Sequence, residues 1–191
     1  MLTLLKPSGP AYLPSKIISG DAGWRLLSIP KTSATVSDIS DDTAVQGVAG
    51  GSDTGASSNV FTYDNTGSYE TPANVSTAIS DGYGLAVYFY NNTTNGSSAL
   101  PLTLDVSGSE PSSDVGVTLN KSNTAGTSSG SGVADSYYTL VGNPFASNYN
   151  LNSITVTGGA IQDNVQFWND GSSSYSAQNR TTPYIVSPWQ A

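Results

Sequence analysis

Trp24-Arg25-Leu26-Leu27-Ser28-Ile29-Pro30 returns later in the chain as Tyr138-Thr139-Leu140-Val141-Gly142-Asn143-Pro144. Each copy is an aromatic-led apolar run stopped by a proline, which has no N–H to give a β-ladder. A second echo lies downstream. Asn59-Val60-Phe61-Thr62-Tyr63-Asp64-Asn65, followed by Gly67 and Tyr69, matches Asn164-Val165-Gln166-Phe167-Trp168-Asn169-Asp170, followed by Gly171 and Tyr175. In both, a strand of β-formers runs into turn residues, so Tyr69 is expected on the returning arm of a hairpin. The first copy continues through Gly82-Tyr83-Gly84 into the run Leu85 to Tyr90, whereas the second reaches Pro188-Trp189-Gln190-Ala191 at the point where that run would begin. A pattern used twice marks one supersecondary unit used twice.

The rest of the chain fits the same plan. Short apolar segments at Leu2–Leu5, Ile17–Ile18, Leu100–Val106, Val115–Leu119, Ile154–Val156 and Tyr184–Val186 are separated by turn residues. The prolines at 7, 10 and 14 exclude helix near the N-terminus. Only residues 35–45 look helical, with Ser37 as a cap and Asp38, Asp41 and Asp42 in a first turn. The expectation is an all-β chain, a β-sandwich of two pseudo-repeated halves with at most one or two short helical turns. Residues 1–22 form an extended lead-in and 23–120 the first half. Residues 121–136 are a Ser/Gly/Thr-rich linker, and 137–191 are a second, incomplete half. The run Leu85 to Tyr90 is expected to pair with the return segment Leu100 to Val106.

Composition narrows the function. The 191 residues can bury a substantial core. Ser, Thr, Asn and Gly make up roughly 45% of them and charged residues only 10%, against a usual charged share of about 25%. The surface is therefore solvated by hydroxyls and amides rather than ion pairs, as in secreted β-proteins. The net charge of −8, with six basic residues and no basic cluster, disfavours nucleic acid and anionic membrane surfaces. No apolar stretch approaches the roughly 20 residues of a membrane helix, so membrane insertion is not expected.

The chain has no Cys and no His. Disulfides, zinc-thiolate sites, Ser-His-Asp triads and imidazole bases are excluded together. The two glutamates, Glu70 and Glu110, both stand beside prolines in turn-like contexts and read as solvated loop carboxylates rather than the facing pair of a glycosidase. No enzyme activity and no obligatory cofactor are expected. Calcium is a possible cofactor, because hard cations take loop carboxylates. Asp38, Asp41 and Asp42 are the candidate ligands, with Asp163, Asn169 and Asp170 a second group. Tyr63, Tyr69, Trp168 and Tyr175 gather about the two hairpins and could stack on sugar rings, making glycans possible partners. The competing reading is that Trp24 and Trp168 fill the cores of the two halves. Asn74, Asn95 and Asn179 stand in N-glycosylation patterns, and Asp42-Thr43-Ala44 resembles a short O-glycosylation site.

The order of Gly23 to Pro30, Gly82-Tyr83-Gly84, Leu140-Val141-Gly142-Asn143-Pro144-Phe145, Val165 to Asn169 and Pro188-Trp189-Gln190-Ala191 resembles a β-rich module. That module lies near the C-terminal end of very long surface proteins exported by the bacterial type IX secretion pathway. The likeness spans about residues 22–191. It implies an extracellular or cell-surface, non-catalytic structural or adhesive module. It carries no catalytic residues over.

One expectation concerns assembly. An unfinished second copy leaves a sheet edge, and an edge is a template for another strand. Leu2, Leu4 and Leu5 are the candidate donor, serving this chain's own edge or a neighbouring copy's, so further copies or adjacent domains are the expected partners. The alternative is that the missing strand follows in a longer parent chain.

Overall fold

The computed structural model describes residues 1–8, 15–63, 69–91, 100–119, 139–157, 164–169 and 171–191. The linker at 121–136, Asp163 and Asp170 lie outside the described residues. Fifteen strands and two helical turns are present among those described, so the chain is all-β. The strands form several small antiparallel sheets.

The largest sheet is built from β3 (Gly23–Leu27), β8 (Leu85–Phe89), β5 (Val60–Tyr63) and β6 (Tyr69–Glu70), in that order. β8 lies between β3, with Leu27 opposite Leu85, and β5, with Val60 opposite Val87. Alternate side chains leave opposite faces of a strand. Leu85, Val87 and Phe89 are therefore all fully buried, each worth about 1.5–3 kcal/mol relative to exposure. The expected pairing of this run with Leu100 to Val106 does not form. Both edges of β8 are taken by β3 and β5. β9 (Leu102–Leu104) instead pairs with β2 (Lys16–Ile18).

The expected helix over residues 35–45 is confined to α1 (Ser37–Ser40); Ser37 is its first residue rather than its cap, and the N-cap position is Val36, which makes no side-chain capping bond. Asp38 does reach back to the Thr35 N–H, at 2.8 Å. Beyond α1 the backbone has other partners. The buried Asn59 side chain donates to the carbonyls of Ala44 and Tyr88 at 2.8 and 3.0 Å and accepts from Gln46 N–H at 2.7 Å. These bonds pin residues 44–46 against the sheet and draw them out of the helix. Val45 and Val48 then close over the core.

Two cores result. The first gathers Ile18, Leu27, Ile29, Val36, Ile39, Val60, β8, β9 and Trp189. The second gathers Leu2, Leu4, Val115, Val117, Phe145, Tyr149, Leu151, Ile154, Phe167 and Val186. β1 (Leu2–Leu4) runs between β10 (Val115–Val117) and β12 (Ile154–Val156), antiparallel to both. The N-terminal ammonium donates to Thr157 O at 2.8 Å, and Leu5 N–H donates to the Tyr149 hydroxyl at 2.9 Å. Burial pushes the Tyr149 hydroxyl pKa up to about 12. Lys6 pairs with Glu110 beyond the strand, while Leu5 is exposed.

The repeat is real in three dimensions and extends past the sequence echoes. β4 (Ala34–Thr35) pairs with β7 (Ala78–Ile79), placing Ala34 opposite Ile79. β11 (Tyr149–Asn150) pairs with β15 (Ile185–Val186), placing Tyr149 opposite Val186. A helical turn follows each first member: α1 after β4, and the 3-10 turn Leu151–Ser153 after β11. Val36 N–H donates to Thr77 O at 3.2 Å; Leu151 N–H donates to Tyr184 O at 2.9 Å. Tyr83 N–H donates to Ser80 O at 3.0 Å; Gln190 N–H donates to Ser187 O at 3.3 Å. Within those turns, Gly82 and Trp189 both have positive φ, 80° and 68°. Residues 77–84 thus correspond to 184–191.

The two copies exchange these turns. Turn 80–84 bridges the second copy, with Tyr83 opposite Val141 and Gly142 N–H donating to Gly82 O at 3.0 Å. Turn 187–191 bridges the first, with Gln190 opposite Leu27 and Ser28 N–H donating to Trp189 O at 3.1 Å. Equivalent positions meet each other. A Cβ on Gly142 would stand 2.3 Å from that of Ser28, and a Cβ on Gly84 2.7 Å from that of Ala191. Such self-meeting pairs mark a pseudo-two-fold axis between the copies, as in an isologous dimer.

Candidate functional site

The outer face of the β3-β8-β5-β6 sheet is aromatic because of strand alternation. Leu27, Val60, Leu85 and Val87 point to the core, so Trp24, Leu26, Phe61, Tyr63, Ala86 and Tyr88 point away from it. Aromatic rings on this face then stack in a row, across the strands and along β8. Trp24 meets Phe61 at 5.5 Å and Tyr88 at 5.4 Å between ring centroids, and Tyr88 meets Tyr90 at 5.0 Å. The tilted and edge-on geometries are those that the ring quadrupoles favour.

The hairpin of β13 (Asn164–Asn169) and β14 (Ser174–Asn179) folds over this face. On β13, Val165 and Phe167 pack on the second core, which turns Trp168 outward. Its indole N–H donates to Trp24 O at 3.0 Å. Trp24, Leu26, Phe61, Tyr69, Ala86, Trp168 and Tyr175 line the resulting pocket of about 290 Å³. The lining is hydrocarbon and aromatic ring, and the indole N–H that could orient a polar ligand is already donated to backbone.

Three of the four expected sugar-stacking residues, Tyr69, Trp168 and Tyr175, therefore meet at one pocket. Tyr63 lies beside it, packed on Tyr69 at 5.2 Å and 68°. Trp168 packs on Tyr175 at 5.1 Å and 66°. These two pairs occupy equivalent places in the two copies. The alternative reading of Trp24 and Trp168 as core fillers is corrected. Trp24 is 39% exposed and Trp168 half-buried, while the tryptophan in the core is Trp189, at 1%. Trp24 and Phe61 are the site residues that sequence reasoning missed. Strand alternation puts Phe61 on the face of Tyr63, but nothing in the sequence shows that a second hairpin roofs that face.

The acidic candidates do not converge. Asp38 is occupied by Lys31 at 2.5 Å and by Thr35. Asp42 accepts Asp105 N–H at 2.8 Å, and partial burial raises its pKa above the ordinary carboxylate value. Among the described residues no group of three or more acidic side chains is arranged to hold a metal ion. Thr43 is buried, so its hydroxyl is out of reach of a glycosyltransferase in the folded chain. Asn179 accepts from Thr181 N–H at 2.8 Å in a local turn. Leu2 and Leu4 do act as an added strand, within this chain and against β10 and β12. They do not stand where the counterpart of β8 would lie. No helix among the described residues is long and apolar enough to cross a membrane. No protein-family model matches the chain, and no curated protein or solved structure matches it either.

Proposed function

We propose that the chain is a non-catalytic structural module of a bacterial surface or filament protein, working outside the cell. The observation that carries this reading is how its buried polar side chains are used. Ser28 donates to Asn143 O at 2.8 Å, and Asn59 holds residues 44–46 to β8. Asn143 donates to Ser147 O at 2.9 Å and accepts from Phe145 N–H at 3.0 Å. Each satisfies backbone and fixes the fold, and none is aimed into the pocket. A chain without His or Cys, with a hydroxyl-rich surface and locked repeats, suits a load-bearing or spacing role. Protease shaving of native cells tests this. The full-length parent is expected to be cleaved from intact cells, and its confinement to the cytoplasm would overturn the reading.

A second reading, adhesion to glycans or other flat-faced ligands, is favoured by the pocket. Ring stacking rather than hydrogen bonding would hold the ligand, since the Trp168 N–H is already donated. Affinity electrophoresis through a panel of polysaccharides should show retardation that Trp168→Ala abolishes and Trp168→Phe partly keeps. Equal mobility of all three proteins in every gel removes this reading.

A further inference from the structure

Five aromatic rings reach the pocket from five strands: Trp24 on β3, Phe61 on β5, Tyr69 on β6, Trp168 on β13 and Tyr175 on β14. Three of them are among the exposed large apolar side chains, Trp24 at 39%, Tyr69 at 44% and Tyr175 at 55%. Wet aromatic surface gathered at one place marks a binding site. Leu26 and Ala86 complete the lining, and none of these side chains carries a charge. The volume of about 290 Å³ stands at the small end for ligand sites, which run from about 300 to 1,000 Å³. It suits a compact headgroup rather than a chain of sugar units.

The chemistry of that headgroup follows from what the lining offers. The Trp168 N–H is held by Trp24 O, so a guest rich in hydroxyls would leave some of them unpaired, at a cost. The rings are tilted against each other, by 44° between Trp24 and Phe61 and by 66° between Trp168 and Tyr175. Tilted rings surround a round group better than they clasp a flat one. Ring faces are also electronegative and attract cations, and the chain's net charge of −8 draws cations toward it. Arg25 shares β3 with Trp24, but strand alternation sends it to the opposite face. Its guanidinium donates to the carbonyls of Asp21, Trp24 and Ser19 at 2.9, 3.2 and 3.4 Å.

We infer that the pocket is an aromatic cage for a quaternary ammonium group, the trimethylammonium head of a small soluble molecule such as choline. The methyl groups pack on Leu26, Ala86 and the rings, while the positive charge spread over them lies against the ring faces. A quaternary ammonium has no N–H and so asks for no acceptor, which matches a lining of hydrocarbon and ring. A primary ammonium carries three donors and is strongly hydrated, so it loses more on leaving water. This inference rests on the pocket alone. It goes beyond the surface-module reading and competes with sugar stacking for the same site.

The test follows backbone amide NMR shifts of the full chain during titration with three probes. These are choline, glucose, and neohexyl alcohol, in which carbon replaces choline's charged nitrogen. Choline should shift the amides of residues 24–26 and 168 saturably, with a dissociation constant about tenfold below that of the neutral alcohol. Tyr175→Leu keeps the lining apolar and removes one ring from an exposed strand. It should weaken choline several-fold, leave the neutral alcohol unchanged and keep the parent spectrum elsewhere. Equal affinity for choline and the alcohol overturns the inference, since apolar contact alone then fills the pocket. Saturable glucose binding that choline does not displace also overturns it and assigns the pocket to sugars. So does the absence of a choline response at these residues. Binding to phosphatidylcholine vesicles without any response to free choline overturns it too, because the occupant is then a membrane surface.

Discussion

At the scale of single residues, the three tryptophans show how little identity says about place. Trp24 and Trp168 sit where strand alternation sends them, to an outer aromatic face. Trp189 has a positive φ of 68° yet fills the first core at 1% exposure. The left-handed backbone is unfavourable for a bulky side chain. It persists because the turn carbonyl accepts from Ser28 N–H and the indole displaces water from the core. Trp189→Ala should therefore cost about 3–5 kcal/mol in urea unfolding. Trp24→Ala should cost roughly 1–2 kcal/mol, because part of its ring is already wet. Equal costs would mean that the indole of Trp189 does not carry the first core. Tyr149 makes a pH prediction. Its folded pKa of about 12 is raised by burial above an ordinary value of about 10. The folded state therefore keeps a proton that the unfolded state loses. This contribution to stability is whole below pH ~10 and disappears as pH rises toward ~12. Tyr149→Phe should flatten that alkaline decline in thermal midpoint, and an unchanged decline would assign it to another group.

At the scale of elements, the exchanged turns hold the two copies together, and the Ser28–Gly142 contact is their tightest point. Any side chain on Gly142 collides with Ser28. Gly142→Ser alone should thus destabilise by about 2 kcal/mol or more through overpacking. Ser28→Gly alone loses the bond to Asn143 O, at about 1 kcal/mol. The pseudo-symmetry makes a sharper statement about the pair. Ser28→Gly with Gly142→Ser moves the hydroxyl to the other side of the axis, where Ile29 O is the equivalent acceptor. The double variant should regain most of the stability lost by Gly142→Ser. Additive losses in the double-mutant cycle would show that the two positions are not symmetry mates.

At the scale of the whole molecule, the N-terminal strand ties distant segments into the second core. β1 satisfies both β10 and β12 and buries Leu2 and Leu4. Removing residues 1–5 strips two ladders and two core side chains at once, leaving two facing strand edges unpaired. We expect the truncated chain to lose amide protection in β10, β12 and the Phe145–Tyr149 region, while β3, β5 and β8 stay protected. Uniform loss across both cores would mean that the molecule unfolds as one unit.

Much of this architecture was legible in the sequence. Leu85 to Phe89 is a run of β-formers whose alternate members all want burial. The Trp24–Pro30 and Asn59–Tyr69 echoes place matching strands because strand period and turn chemistry are local properties. The aromatic hairpin residues were visible for the same reason. Which strand pairs with which was not. β8 could not pair with β9 once β3 and β5 held both its edges, and Leu2–Leu4 joined strands more than a hundred residues away. Residues 77–84 and 184–191 share a fold with almost no sequence in common, because a turn hydrogen bond and a positive φ can be met by Gly82 or, given enough packing, by Trp189. Local sequence decides where a strand can start and which of its faces is apolar. Competition among edges for hydrogen bonds, and among side chains for a common core, is settled only in the folded chain. That competition turned two short sequence echoes into a two-fold molecule with an aromatic pocket between its halves.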